Sequence, residues 1–134
     1  MILEKKYNIS FPKSYCDLML KHNGVRFEQD TFRYFKNNQY WVESNISFLA
    51  FGNPIGTELI NDSQYYSEKN LIAFGLNEFG YLICFDYRQD RMTNDPPVVI
   101  MYHDEFMTNE HGQEKMVIFP VANSFDEFLD MLYE

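Results

Sequence analysis

The sequence predicts an α+β fold: a single domain with a mainly antiparallel β-sheet of about five to six strands, on which an N-terminal helix and a C-terminal amphipathic helix pack. Three observations predict this class. An apolar helical stripe lies near the N-terminus, apolar runs of strand length follow it, and a second amphipathic helical segment closes the chain. Helices and strands do not alternate, which favours an antiparallel sheet. At 134 residues the chain has the size of one domain, so residues 1–134 are assigned to one.

The first helix is predicted in the segment ISFPKSYCDLMLKHNG. Its apolar positions fall on one helical face, at i, i+4, i+7, i+8 and i+11: Phe11, Tyr15, Leu18, Met19 and His22. Pro12 is suited to the first turn of a helix, where its missing N–H would have no partner. The helix is predicted to end at Gly24, because the preceding Asn and this Gly readily adopt the left-handed conformation that closes helices.

Strand signals begin with a region rich in aromatic and β-branched residues, which predicts three short strands at roughly Arg33 to Lys36, Tyr40 to Val42 and Ile46 to Phe51. The segments LIAFG, YLICFDY and VVIMYH are continuous apolar runs, and they predict central strands that are buried on both faces. The last strand, VIFPV, contains Pro120. Because proline cannot donate a ladder hydrogen bond, this strand is predicted to lie at an edge.

The segment FGLNEFGYL places Gly75 and Gly80 between two predicted strands. It contains neither a Gly-x-Gly-x-x-Gly pattern nor a Gly-Lys-Ser/Thr pattern, so a phosphate-binding loop is not predicted. A turn or bulge with close backbone approach is predicted instead. At the C-terminus, NSFDEFLDMLYE predicts a helix, because Ser124 and Glu127 form a capping box ahead of an apolar stripe.

Charge limits the possible partners. Twenty acidic residues against 11 lysines and arginines give a formal net charge of −9, and residues 104–134 carry eight acids and one base. Such a field repels phosphate backbones and anionic membranes, so neither direct nucleic-acid binding nor membrane binding is predicted, whereas a basic protein is a plausible partner. A merely solvated acidic face is the alternative. No apolar run approaches the roughly 20 residues of a membrane span, and the chain is predicted to be cytoplasmic.

The search for chemistry centres on His103, Asp104 and Glu105, at the end of a predicted strand. Neighbouring residues of a strand point to opposite faces, so these three do not converge on one metal ion without a sharp turn. Cys16 and Cys84 lie in apolar segments, where a thiol behaves as a small buried hydrophobe. No nucleophile elbow or metal-ligand spacing occurs. The sequence therefore predicts no catalytic residue, no metal and no cofactor.

Four segments resemble motifs of the SUKH superfamily, which includes bacterial immunity proteins and fungal cell-wall synthesis regulators of the SMI/KNR type. YNISFPKSYCDLMLKHNG resembles the family's opening Leu-Pro-x-x-Tyr…Leu…His-Asn-Gly, with Phe11 in place of the leucine. IAFGLNEFGYLICFDYR is similar to the family's strand, glycine turn and strand, PPVVIMYHDE to its Pro-Val…His-Glu segment, and VANSFDEFLDML to its closing helix. The resemblance covers about Tyr7 to Leu132. It departs at Val25, where many members have glycine, and in the bulkier turn at 76–79.

The resemblance implies a non-enzymatic immunity protein that binds and neutralises a cognate toxin, in many members a nuclease. The acidic charge agrees, because an acidic surface can occupy a basic groove built for nucleic acid. The alternatives are a small-molecule-binding or regulatory module with a pocket against the sheet, and an enzyme in which His103 meets acids from other strands. The oligomeric state stays open. Partner-binding residues are predicted at strand ends and loops: Asp86, Tyr87, Asp90, Asp104, Glu105 and Glu110.

Overall fold

The computed structural model describes residues 10–22, 30–36, 40–48, 70–108 and 114–133. These residues form two helices, α1 (Lys13–His22) and α2 (Phe125–Met131). They also form seven strands: β1 (Thr31–Lys36), β2 (Tyr40–Asn45), β3 (Ser47–Phe48), β4 (Leu71–Leu76), β5 (Leu82–Asp86), β6 (Val98–Thr108) and β7 (Glu114–Ala122). In this part of the chain neither helix has the length of apolar sequence that crossing a bilayer requires.

Every strand pairing among the described residues is antiparallel, which confirms the predicted α+β class. The strands divide into two sheets rather than one. A five-stranded sheet has the order β3-β4-β5-β6-β7, and β1 and β2 form a separate two-stranded ribbon that approaches β7. The strand that contains Pro120 is the last of the five, as predicted, and the pairing register shifts beside this proline, where Val98 pairs with Ala122 but Val99 pairs with Pro120.

The three continuous apolar runs form the inner strands β4, β5 and β6, and they are buried on both faces as predicted. Alternate side chains point to opposite faces of the sheet. The face toward the main core carries Ile72, Phe74, Ile83, Phe85, Val98 and Ile100. The opposite face carries a smaller buried cluster of Leu71, Ala73, Cys84, Val99 and Met101. The thiol of Cys84 is thus packed among apolar neighbours.

Both helices pack on the main core face through aromatic rings. The predicted α1 stripe is buried at Phe11, Tyr15 and Met19. The Tyr15 ring contacts Phe125 of α2 edge to face, with ring centroids 5.5 Å apart, and Phe125 in turn lies 5.5 Å from Phe74 of the sheet. Such edge-to-face aromatic pairs stabilise a core beyond the area they bury. The rings therefore fix the two helices on the sheet.

The predicted cap of α2 is present, since Ser124 Oγ accepts a hydrogen bond from the backbone N–H of Glu127 at 3.1 Å. After the helix, the chain returns to the ribbon. Thr31 and Tyr133 exchange two backbone hydrogen bonds of 2.9 Å, so the end of the described chain lies beside β1. This contact connects α2 to the two-stranded ribbon.

The two predicted glycine features are both confirmed. The register between β4 and β5 shifts at Gly75, and a Cβ atom there would lie 2.6 Å from Ile46 Cδ1, so that the Ile46 side chain would have to move to admit it. Gly80 has a φ of 79°, in the left-handed region, and it completes the turn between these strands. Gly75 therefore permits close packing, and Gly80 permits the turn.

The largest difference from the predicted strands concerns β6, which continues to Thr108 rather than ending at His103. Within β6 the register jumps, because Tyr102 pairs with Val117 while Phe106 pairs with the next residue, Met116. The three residues His103, Asp104 and Glu105 thus form a bulge inside a long strand and do not mark its end.

The five-stranded sheet has two distinct ends. At the turn end, residues 77–81 connect β4 to β5, and at the loop end residues 87–97 connect β5 to β6. The register places Leu82 opposite Met101 near the turn end and Phe85 opposite Val98 near the loop end.

Candidate functional site

The candidate site is a cavity of about 220 Å³ at the turn end, between the two-stranded ribbon and the β4–β5 turn. The ribbon contributes Tyr34, Lys36, Val42, Glu43 and Ser44, the turn contributes Asn77, Glu78, Phe79 and Tyr81, and β6 contributes Tyr102. The lining is thus mainly aromatic and polar, with three charged side chains. We call it the turn-end pocket.

The turn itself is held by the buried side chain of Asn77. Its Oδ1 atom accepts hydrogen bonds from the backbone N–H groups of Phe79 and Tyr81, both at 2.9 Å. Its backbone carbonyl accepts from the N–H of Gly80 at 3.1 Å. A short polar side chain that bonds the backbone ahead of it is typical of tight turns. Asn77 therefore presents Glu78 and Phe79 at the tip of a rigid turn.

Glu78 is fixed across the pocket by two donors from β2. Its Oε2 atom accepts from Ser44 Oγ at 3.1 Å and from the backbone N–H of Asn45 at 3.0 Å. Ser44 Oγ is itself held by Asn77 Nδ2 at 3.1 Å. Both donors to the carboxylate are neutral, and Glu78 forms no ion pair with another described residue. The carboxylate is positioned, but its charge is not compensated by a cation.

Aromatic rings form the wall beside this carboxylate. Tyr81 stacks on Tyr102 with centroids 4.1 Å apart and planes inclined by 17°, and Phe79, whose side chain is 68% exposed, lies 5.9 Å from Tyr81. The hydroxyl of Tyr102 shares a short hydrogen bond with the hydroxyl of Tyr34, which is buried. Burial, together with this hydrogen bond, raises the pKa of Tyr34 well above its ordinary value.

Lys36 closes the opposite end of the pocket. Its Nζ atom lies 4.8 Å from the Tyr102 ring centroid and 5.7 Å from that of Phe119, which is the geometry of a cation–π contact. Because Tyr81 covers one face of Tyr102, the ammonium lies over the other face. The pocket therefore has the Lys36 ammonium near one end and the Glu78 carboxylate near the other, with stacked rings between them.

A second, more open cavity of about 420 Å³ lies on the outer face of the ribbon, lined by Arg33, Trp41, Met131 and Tyr133. The Tyr133 hydroxyl donates to Glu43 and accepts from Arg33 Nε at 3.0 Å, and Arg33 Nε also lies 3.7 Å from Glu43. The hydrogen bond to the Glu43 carboxylate raises the pKa of Tyr133. The charges at this cavity are thus largely paired with one another.

The structure separates the residues predicted to bind a partner. The side chain of Asp86 is only 10% exposed, and Arg88 donates to both of its oxygens at 2.9 Å. Tyr87 is fully buried, with its hydroxyl donating to the backbone carbonyl of Ser10 at 2.5 Å. The prediction of Tyr87 as a surface contact is therefore corrected: its ring belongs to the core. Asp90 is exposed and accepts from the N–H of Met92 at 2.9 Å.

The remaining predicted residues lie elsewhere. Asp104 and Glu105 belong to the β6 bulge at the turn end, and Glu110 lies outside the described residues. Consecutive antiparallel strands end at opposite ends of a sheet, so about 20 Å of strand separates Asp104 from Val98 beside the loop end. Asp86 and Asp90 thus lie at the loop end of the sheet, and Asp104 and Glu105 lie at its turn end. Whether any of the exposed ones contacts a partner stays a prediction.

Sequence reasoning missed the residues that do come together, above all Glu78 and Phe79. The segment FGLNEFGYL predicts a glycine turn or bulge, and neither Glu78 nor Phe79 is among the predicted contact residues. One sequence feature could have indicated this site: an acidic residue and a large aromatic residue lie in a turn between two buried strands. Loop residues held by a rigid scaffold are often functional. The contribution of Tyr34 and Lys36 depends on how the ribbon packs, and no local pattern indicates it.

Among the residues that the structure describes, no three His, Cys, Asp or Glu side chains are grouped so as to hold a metal ion. The two cysteines described are Cys84, which is buried, and Cys16, which is half-buried against the core. The arrangement at the turn end is suited to binding through charge and aromatic contact.

The model of the SMI1 / KNR4 family (SUKH-1) matches residues 2–131, which is nearly the whole chain. No curated protein and no solved structure matches the chain significantly.

Proposed function

Because the chain belongs to the SMI1 / KNR4 family (SUKH-1), we propose that it acts by binding another protein rather than by catalysis. Its proposed role is that of an immunity protein that neutralises a cognate toxin, and the toxin is proposed to be a nuclease. The proposed means is an acidic surface that occupies the basic groove through which a nuclease holds nucleic acid.

The observation that carries this proposal is a surplus of exposed carboxylates that remain unneutralised. Seven exposed acidic residues form no ion pair with another described residue: Asp17, Glu78, Asp90, Asp95, Asp126, Glu127 and Asp130. Among the described residues, Glu43 and Asp86 are paired with arginines. Together with the formal net charge of −9, these acids create a field that attracts a basic partner and accelerates encounter.

Co-expression with a candidate toxin, taken as the product of the gene beside that of this chain, tests the proposal. We expect growth of toxin-producing cells to be restored, and the purified proteins to bind with an affinity that falls as sodium chloride rises from about 50 to 300 mM, because screening weakens exposed charge pairs. Absence of rescue, together with affinity that does not change with salt, would contradict the proposal.

Single charge removals locate the contact. We expect Glu78→Gln to weaken toxin binding roughly two- to fivefold, which is the effect of one partly screened ion pair. Asp90→Asn is the matched change at the loop end of the sheet. If Asp90→Asn reduces the affinity and Glu78→Gln does not, the contact lies at the loop end and our placement is wrong.

A further inference from the structure

We propose that the turn-end pocket receives one arginine side chain of the bound protein, with its guanidinium beside Glu78. This inference rests on the proposed function, and it names the chemical group that the pocket recognises. The pocket is too small for a ligand of drug or cofactor size, since such sites are usually about 300–1,000 Å³ and this cavity is about 220 Å³. A single long side chain is an occupant of suitable size.

The carboxylate of Glu78 selects a cation. Its Oε2 atom accepts hydrogen bonds from Ser44 Oγ and the Asn45 N–H, and these two bonds fix the orientation of the carboxylate. Its other oxygen has no hydrogen bond to a described residue. Because the two donors are neutral, the negative charge persists at the pocket. A charge-assisted hydrogen bond from an incoming N–H group would complete it.

The aromatic wall selects arginine over lysine. A guanidinium is planar, weakly hydrated and able to stack on a ring, whereas an ammonium is a strongly hydrated point charge. Phe79 directly follows Glu78 in the turn, and its ring centroid lies 5.9 Å from that of Tyr81. The two rings therefore supply flat surfaces beside the carboxylate. A guanidinium there can stack on an aromatic face while an N–H group donates to Glu78.

Lys36 sets the orientation of the occupant. Its ammonium already occupies the ribbon end of the aromatic row, over Tyr102, so a second cation at that end is repelled. An incoming guanidinium is therefore directed to the Glu78 end of the pocket. The opposed charges make the pocket selective for a side chain that enters from the turn side.

The test uses three small probes with the isolated protein: N-acetyl-arginine amide, N-acetyl-lysine amide and N-acetyl-citrulline amide, which has the shape of arginine without its charge. Backbone amide resonances are followed by NMR during titration. We expect arginine to shift the amides of Asn45, Phe79 and Tyr81 selectively, lysine to bind several-fold more weakly, and citrulline to cause no saturable shift.

Glu78→Gln should reduce arginine binding at least fivefold, and Glu127→Gln, the same change on α2, should leave it unchanged. An unchanged thermal midpoint of Glu78→Gln would show that the fold is intact. The inference is overturned if both variants weaken binding equally or if the shifts spread over the whole acidic surface, because the attraction is then diffuse. Equal binding of lysine and arginine would also overturn it, by excluding the stacking contribution.

The outcome is independent of the toxin. If the pocket does not bind arginine although co-expression restores growth, only the pocket assignment fails. If arginine binds selectively but no rescue occurs, the toxin assignment fails and the pocket retains its specificity for a guanidinium.

Discussion

The two ends of the five-stranded sheet carry the same kinds of residue in different roles. At the loop end, Asp86 is the last residue of β5 and Tyr87 follows it. Both side chains are satisfied within the chain, the carboxylate by Arg88 and the hydroxyl by the carbonyl of Ser10. At the turn end, Glu78 and Phe79 stand at the tip of a turn, with the carboxylate held by neutral donors and the ring exposed.

The difference shows that the donor, more than the acid, decides what a carboxylate can do. The Arg88 guanidinium donates to both oxygens of Asp86 and neutralises the carboxylate locally, so that little negative charge remains to attract another molecule. Hydroxyl and backbone donors fix Glu78 without cancelling its charge. Asp86 therefore stabilises the fold, whereas Glu78 keeps its negative charge at the surface of the turn end.

The strongest way to break this comparison is to remove the buried ring at the loop end. Tyr87→Ala should lower the free energy of unfolding by about 3–5 kcal/mol, because a fully buried aromatic side chain is replaced by a cavity and Ser10 loses a donor. Urea denaturation measures the change. Tyr87→Phe, which removes only the hydroxyl, should cost about 0.5–1.5 kcal/mol. A loss below 1 kcal/mol for the alanine variant would show that Tyr87 is not a core residue.

A smaller effect is expected from opening the turn. Asn77→Ala should destabilise the protein by about 1–3 kcal/mol, because the N–H groups of Phe79 and Tyr81 lose their acceptor and Ser44 loses a donor. Unlike Tyr87→Ala, it should also weaken arginine binding, since Glu78 is no longer presented rigidly. Denaturation and the amide titration together check this. Unchanged arginine binding would mean that the turn does not position the carboxylate.

Sequence periodicity was sufficient for the helices and the inner strands. Burial follows directly from local patterns in these elements. The apolar stripe of α1 buries Tyr15, that of α2 buries Phe125, and the apolar runs form β4 to β6. Strand ends were less predictable. β6 continues through the polar His103 to Glu105 because a register jump against β7 accommodates these residues, and such a jump depends on the partner strand as much as on β6 itself.

The site was less predictable than the fold, for a physical reason. Strand alternation indicates which residues share a face, but the set of residues at one end of a sheet depends on strand order and register. Asp86 ends β5 and Asp104 lies within the neighbouring strand β6, yet the two residues lie at opposite ends of the sheet. The turn-end pocket also needs Lys36 from a separate ribbon, whose position results from tertiary packing.

The buried hydroxyl of Tyr34, at the turn end, can be tested by titration. Burial and the hydrogen bond to Tyr102 raise the pKa of Tyr34 above its ordinary value near 10, so the folded protein keeps a proton that the unfolded chain releases. The stability from this group is complete below pH 10 and is lost as the pH rises above it. Between pH 10 and 11, the wild type should lose at most about 1.4 kcal/mol more unfolding free energy than Tyr34→Phe. Urea denaturation at each pH measures this, and equal pH slopes would show that the Tyr34 hydroxyl at the floor of the pocket titrates as if it were in water.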